Sequence, residues 1–196
     1  MKKLESTLPN MIMSLGLITI IAGLALAWVY ESTKAPIARS EQEKQIAAVR
    51  DVLPPFDNDP VAEAVTVTLD GKGDYRLFPA KMNGKPAGAA VETRSMDGFS
   101  GLITVMAGFD ADGKVTGYTV LQHAETPGLG AKMGDWFRDS NGNRSVIGLD
   151  PGKANLTVSK DGGDADGITA ATITSRAFLG SLRDAYQVFQ QYNESK

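Results

Sequence analysis

The chain contains no cysteine and only one histidine, and these absences remove most of the common metal and redox centres. Without cysteine the protein cannot form disulfides, thiol nucleophiles, cysteine-ligated zinc, iron–sulfur clusters or thioether-linked haem. With His123 alone, sites built from several histidines are excluded as well, and a metal site would need carboxylate ligands. We therefore predict no metal site.

A block of positive charge is also lacking. The 196 residues include 20 Lys and Arg against 23 Asp and Glu, and the basic residues are dispersed along the chain. Nucleic-acid binding relies on clustered positive charge that meets the phosphate backbone. We therefore predict no nucleic-acid partner.

What the chain does have is a long apolar run near its N-terminus. No charged residue occurs from Ser6 to Tyr30, and residues 11–30 are nearly all apolar. Twenty helical residues span about 30 Å, the thickness of the hydrocarbon core of a bilayer. The run therefore predicts a transmembrane helix at 11–30, in contact with membrane lipid.

The flanking residues predict the orientation of this helix. Lys2 and Lys3 precede it, which by the positive-inside rule leaves residues 1–10 as a short cytoplasmic N-terminus. We expect a single-pass protein of the inner (cytoplasmic) membrane, with its C-terminal domain on the periplasmic or external side. The alternative is a cleaved signal peptide, because residues 25–27 (Ala-Leu-Ala) fit a cleavage site. The apolar run is long for a signal peptide and continues past that site, which favours a retained anchor.

The remaining sequence predicts a stalk and one exported domain. Residues 31–60 are interpreted as a helical stalk and linker, with a helix over 36–53 and a proline-rich linker at 54–60. Residues 61–196 are predicted to form an α+β domain, a mostly antiparallel sheet with flanking helices. A short helical piece is expected around Trp136. Strands are predicted at 65–69, 75–78, 88–94, 102–109, 114–121 and 155–158.

A cluster of hydroxyl residues, in the segment "DGITAATITSRAF" (166–178), precedes the last helix. In that helix apolar residues recur every three or four positions, at Phe178, Leu182, Ala185, Phe189 and Tyr192. Thr174 lies about 40° from Phe178 and so shares the buried stripe. A first turn is where free N–H groups and the helix dipole favour an anion. The alternative is simple capping by Thr169 or Thr172, with Thr174 packed near the helix start.

The segment "ITAATITS" (168–175) resembles a covalent flavin-attachment motif, Ser/Thr-Gly-Ala-Thr/Ser-x-Thr/Ser. This motif belongs to the FMN-binding domain shared by the G subunit of Rnf complexes and the C subunit of Na⁺-translocating quinone reductases. The block at 97–132, with its hairpin and "ETPGLG" loop, resembles the same family in the same order. One position departs from the family, since Ala170 stands where glycine is usual.

The resemblance implies roles for individual residues. FMN would be joined by a phosphoester bond to the hydroxyl of Thr174, which aligns with the last residue of the motif. Thr172 and Thr169 would bond the phosphate or the ribityl chain, with capping as an equal alternative. The loop residues expected to meet the flavin ring are Glu125, Thr126, Leu129 and Gly130, with Lys132 as a weaker candidate for stabilising the reduced ring.

The resemblance also implies a function. The chain would be the FMN-carrying electron-transfer subunit of an Rnf-type ion-translocating ferredoxin:NAD⁺ oxidoreductase, without a substrate site of its own. Its partners would be the other membrane subunits and a flavin transferase that attaches the cofactor. The alternatives are the C subunit of a Na⁺-translocating quinone reductase, usually a longer chain, an FMN domain serving another reductase, and a membrane-anchored domain that binds a ligand or partner without redox chemistry.

Overall fold

The computed structural model describes residues 7–195, and the chain divides between Glu43 and Lys44 into two compact units. Helix α1 (Leu8–Val52) is 45 residues long and includes Pro36. Among the described residues it is the one helix that is long and apolar enough to cross a membrane, judged by length and composition. The membrane helix predicted at 11–30 and the stalk helix predicted over 36–53 are thus parts of one continuous helix.

The second unit is built on a five-stranded antiparallel meander, in which every strand pairs with its sequence neighbours. The turns lie where glycine and asparagine predicted them. Positive φ, which these tight turns require, is adopted by Gly71, Asn83, Gly84 and Gly113. The predicted α+β class with an antiparallel sheet is confirmed. The strands are β1 (Val65–Leu69), β2 (Gly73–Met82), β3 (Lys85–Gly98), β4 (Gly101–Asp110) and β5 (Val115–His123).

The last helix, α3 (Thr172–Glu194), covers one face of this sheet; a short helix, α2 (Met133–Trp136), precedes it in the chain. The apolar stripe of α3 is buried as the periodicity predicts, except that Tyr192 at its end is half-buried. Thr174 lies in that stripe with 1% of its surface exposed. The centre of the core is aromatic. Phe178 stacks on Phe137 with ring centroids 4.6 Å apart and meets the edge of Tyr118 at 4.8 Å. This packing fixes the position of the first turns of α3.

The last turns of α1 pack on the opposite face of the sheet. Ala48, Val49 and Val52 are buried there against apolar side chains of the strands. Gly108 allows the close approach, because a Cβ at that position would overlap the Val52 carbonyl oxygen. The Thr116 hydroxyl donates a hydrogen bond to the same carbonyl. The sheet is therefore covered on both faces.

The strand predicted at 155–158 is wrong. The segment is a loop that makes one isolated bridge, between Val158 and Ala165, and then enters a 3₁₀ turn at Ser159–Asp161. Polar bonds close the loop on itself, since the Asp164 carboxylate accepts the Asn155 N–H at 2.7 Å and the Asn155 amide donates to the Gly162 carbonyl. The helical piece expected near Trp136 is present as α2.

Candidate functional site

A cavity of about 280 Å³ opens where three separate segments of the second unit meet. The segments are the tip of the β3–β4 hairpin, the loop after β5, and the start of α3. The lining residues are Phe99, Glu125, Thr126, Leu129, Gly130, Ala170, Ala171, Thr172, Ile173 and Thr174. Three of them, Phe99, Leu129 and Ile173, carry large exposed apolar side chains. The wall therefore combines apolar surface with the polar groups at the helix start.

The turn that leads into α3 is held by Ser175. Its hydroxyl oxygen accepts the Ile168 N–H at 2.9 Å, and its hydroxyl donates to the Ala171 carbonyl at 2.9 Å. Between these points Ala170 adopts φ 62°, the left-handed conformation that favours glycine. The unusual alanine in the motif therefore occupies a position whose backbone geometry suits the residue usual in the family.

The helix that this turn begins has no side-chain cap among residues 7–195. The N-cap position belongs to Ala171, and no described side chain hydrogen-bonds to the first turn as a cap. The capping role that the sequence left open for Thr169 and Thr172 is therefore wrong. Because the first N–H groups of a helix have no carbonyl partner within the helix, this end offers unpaired donors and a positive dipole end at the cavity wall.

Thr174 and Glu125 form a buried hydrogen-bonded pair in the wall of the cavity. The Thr174 hydroxyl donates to Oε2 of Glu125 at 2.6 Å, and the Ser100 N–H donates to Oε1 at 2.9 Å. Glu125 is 4% exposed. Gly130 makes room for the pair, because a Cβ there would lie 2.5 Å from the carboxylate and 2.6 Å from the hydroxyl oxygen. The only histidine, His123, accepts the Glu125 N–H through Nδ1 at 3.2 Å.

Thr172 differs from Thr174 in both exposure and bonding. It is half-buried at the first position of α3, and its hydroxyl makes no hydrogen bond to the residues that the structure describes. It also borders a second cavity of about 330 Å³, which Thr169, Lys160 and Arg144 help to line. Thr172 is thus a free hydroxyl shared by an apolar cavity and a more polar one.

Arg144 shapes the second cavity through two contacts. Its guanidinium lies 4.2 Å from the centroid of the Trp136 ring and is 2.7 Å from the Asp139 carboxylate. A hydrogen bond from the Asn141 backbone N–H is the main cause that lowers the pKa of Asp139 below its usual value. Arg144 lowers this pKa further, whereas desolvation of the carboxylate raises it in part. Lys160, by contrast, is an exposed side chain.

The structure brings together six of the eight residues singled out in the sequence. Glu125, Thr126, Leu129, Gly130, Thr172 and Thr174 all line the first cavity. Thr169 is exposed and borders the second cavity, while Lys132 is an exposed residue outside both linings. The attachment of FMN to Thr174 stays a prediction.

Sequence reasoning missed Phe99, Ile173 and the alanines as lining residues. The signal for Phe99 was present, since "DGFSG" resembles a family block, but only the fold shows that this hairpin tip meets the start of α3. Trp136 borders the second cavity, and its Nε1 donates to the Asp166 carbonyl at 2.8 Å. Phe137 belongs to the aromatic core.

The cavity suits a flat, partly apolar ring that carries an anionic tail. Its volume is near the lower end of the roughly 300–1,000 Å³ that is usual for small-molecule sites. Apolar side chains stand at its rim, and the uncapped helix end supplies donors for a phosphate. FMN has both parts. No arrangement of a nucleophile with an acid–base pair for a separate substrate lines the cavity in the described part of the chain.

Comparison with known proteins agrees with this chemistry. The family model of the FMN-binding domain matches residues 98–187. The G subunit of the ion-translocating oxidoreductase complex of Cereibacter sphaeroides (strain ATCC 17023) is 36% identical over 184 residues, which cover 91% of this chain and 82% of that protein. The corresponding G subunit of Escherichia coli K12 is 39% identical over 171 residues (83% and 81%), and that of Vibrio atlanticus 34% over 199 residues (95% and 94%).

Proposed function

We propose that this chain, which belongs to the family formed by the G subunits of ion-translocating oxidoreductase complexes, is an Rnf-type electron-transfer subunit whose FMN is covalently attached. The observation that carries the proposal is the cavity at the uncapped start of α3, lined by the loop and motif residues of an FMN-binding domain. The wider reaction would be electron transfer between ferredoxin and NAD⁺, coupled to ion movement by the complex as a whole.

The placement in the membrane is part of this proposal. Helix α1 is long and apolar enough to cross a bilayer, and its apolar side chains from Leu8 to Tyr30 stand exposed. Exposure of that much apolar surface is unfavourable in water and favourable in lipid. With Lys2 and Lys3 ahead of the helix, the N-terminus would lie in the cytoplasm and the flavin domain on the periplasmic or external side.

We propose that the flavin phosphate is attached through Thr172. The motif places both Thr172 and Thr174 at the helix start, and the local geometry supports the first. Thr172 is half-buried, its hydroxyl is unbonded to described residues, and it lies at the first helical position beside both cavities. A phosphodiester there would keep one negative charge next to the unpaired N–H groups of the first turn.

Attachment through Thr174, as the alignment with the motif predicts, would meet two physical obstacles. The side chain is 1% exposed, so a phosphorus atom could approach its oxygen only if the helix start opened. Its hydroxyl is also bonded to a buried carboxylate at 2.6 Å, and a phosphate on that oxygen would place two negative charges in contact. Thr174 is better suited to holding Glu125 than to holding the flavin.

The protein would bind and orient the cofactor, while FMN supplies the electron chemistry. Phe99, Leu129 and Ile173 would contact the ring and keep water from part of its surface. The turn held by Ser175 would fix the attachment point relative to the cavity. A covalent link also prevents loss of the cofactor into the open external compartment.

The function is tested by isolating the full-length chain from its own membranes. A tagged chain should co-purify with the other membrane subunits, and a flavin transferase should be needed for a yellow product. In a denaturing gel the band of this chain should fluoresce under ultraviolet light, and its absorbance should bleach with dithionite and return in air. A colourless chain without subunit partners would refute the proposal and favour a binding domain without redox chemistry.

A further inference from the structure

Glu125 is a buried carboxylate whose charge is not neutralised by a cation among the described residues. Its two hydrogen-bond donors are the Thr174 hydroxyl and the Ser100 N–H, both of them neutral groups. It forms no ion pair with any residue from 7 to 195. A buried carboxylate is costly unless its oxygens are hydrogen-bonded, and here each of the two oxygens accepts one hydrogen bond.

The surroundings are built to accommodate this carboxylate. Gly98 and Gly130 lie against its two oxygens, and a Cβ at either position would come within 2.8 Å and 2.5 Å of them. Thr174 lies in the buried stripe of α3, and its hydroxyl points to Oε2. Gly98, Gly130 and Thr174, from three separate segments, therefore all accommodate the Glu125 carboxylate in the cavity wall.

We propose that Glu125 tunes the bound flavin by lowering its midpoint potential. The inference rests on the proposed function, since it requires FMN in the first cavity. Reduction of FMN by two electrons with uptake of one proton adds one negative charge to the ring. A ring in this cavity contacts a wall that carries the Glu125 carboxylate, and burial of that side chain weakens the screening of its charge by solvent. The reduced state is therefore disfavoured relative to the oxidised state.

The test is a potentiometric titration of the full-length flavin-bearing chain in detergent. Dithionite is the reductant, and it is oxidised as it reduces the flavin. The variant is Glu125→Gln, which removes the charge and preserves the shape. Its amide oxygen can accept the Ser100 N–H, and its amide group can donate to the Thr174 oxygen. Glu125→Asp is the control that keeps the charge.

We expect Glu125→Gln to raise the ratio of reduced to oxidised flavin at least tenfold at the wild-type midpoint, a rise of about 30 mV for a two-electron couple. Glu125→Asp should change this ratio by less than threefold. A Glu125→Gln midpoint equal to or below that of the wild type would overturn the inference. If the substitutions acted through packing alone, the midpoint would not depend on whether the new side chain carries a charge.

If the Glu125→Gln chain does not take up FMN, a second measurement tests the inference on the wild-type chain. Wild-type chain prepared without a flavin transferase is titrated with free FMN, oxidised in one series and reduced in the other. We expect the oxidised form to bind at least tenfold more tightly, and equal affinities would overturn the inference. If FMN binds in neither form and is never attached, the proposed function fails instead.

Discussion

Replacing Ala170 by glycine should stabilise the flavin domain. Ala170 is one of two non-glycine residues with positive φ in the described part of the chain, and its φ of 62° brings Cβ close to the following carbonyl. The side chain is exposed, so that its removal gives up little buried surface. The substitution therefore relieves backbone strain with little loss of packing.

The expected magnitude follows from two opposing terms. An L-residue in the left-handed region costs roughly 1–2 kcal/mol, which glycine avoids. Glycine in turn increases the entropy of the unfolded chain, which costs about 0.4–1 kcal/mol. These ranges leave a net gain of between about 0 and 1.6 kcal/mol, and their midpoints give about 0.8 kcal/mol. For a domain of this size the midpoint corresponds to a rise in Tm of about 2–3 °C.

The assay is thermal unfolding of the full-length chain in detergent, followed by circular dichroism and repeated as a urea titration. The matched control is Ala171→Gly, one residue further along, where φ is −136° and the side chain is 8% exposed. We expect that control to lower Tm, because it loses a buried methyl group and relieves no strain. An Ala170→Gly chain no more stable than the wild type would show that Ala170 carries no backbone strain.

Two further predictions concern the surroundings of the site. Gly130→Ala should lower both the Tm and the fraction of chain carrying FMN, because its Cβ would displace the Glu125 carboxylate. The control Gly134→Ala, in helix α2 with open space around it, should leave the FMN fraction unchanged and keep or slightly raise the Tm. Equal behaviour of the two variants in thermal unfolding and intact-mass measurements would contradict this prediction. The second prediction concerns Asp161, whose pKa in the folded protein is lowered chiefly by a hydrogen bond from Arg176. The ionised carboxylate therefore contributes to stability above the ordinary aspartate pKa of about 4. That contribution is lost as the pH falls through the lowered pKa of the folded protein. Asp161→Asn should therefore lower Tm slightly at pH 7, and the difference from the wild type should shrink as the pH is lowered below about 4. A difference that stays constant with pH would contradict this assignment.

Local sequence signals predicted the sheet well because each strand pairs with its neighbour in the chain. Asp70-Gly71, Asn83-Gly84 and Asp112-Gly113 each mark a hairpin turn, and the strands between them need no long-range information. The segment at 155–158 shows the limit of this reasoning. Its alternating pattern reflects burial of Leu156 and Val158, and a loop closed by polar bonds buries them as effectively as a strand would.

The candidate site was only partly predictable, because it depends on contacts between distant segments. Helical periodicity correctly placed Thr174 on the buried face of α3. It could not show that burial would pair this hydroxyl with Glu125, 49 positions earlier in the chain, and leave Thr172 as the free one. Periodicity gives the direction of a side chain, whereas reactivity depends on access and on hydrogen-bond partners.

The intact mass of three full-length chains, each co-expressed with a flavin transferase, shows which threonine carries FMN. They are the wild type, Thr172→Ala and Thr174→Ala, and peptide mapping of the wild type locates the modification. We expect an added mass of FMN less one water on the wild type and on some Thr174→Ala chains, and none on Thr172→Ala. Modification of Thr172→Ala with loss in Thr174→Ala, or an unmodified wild type, would contradict attachment through Thr172.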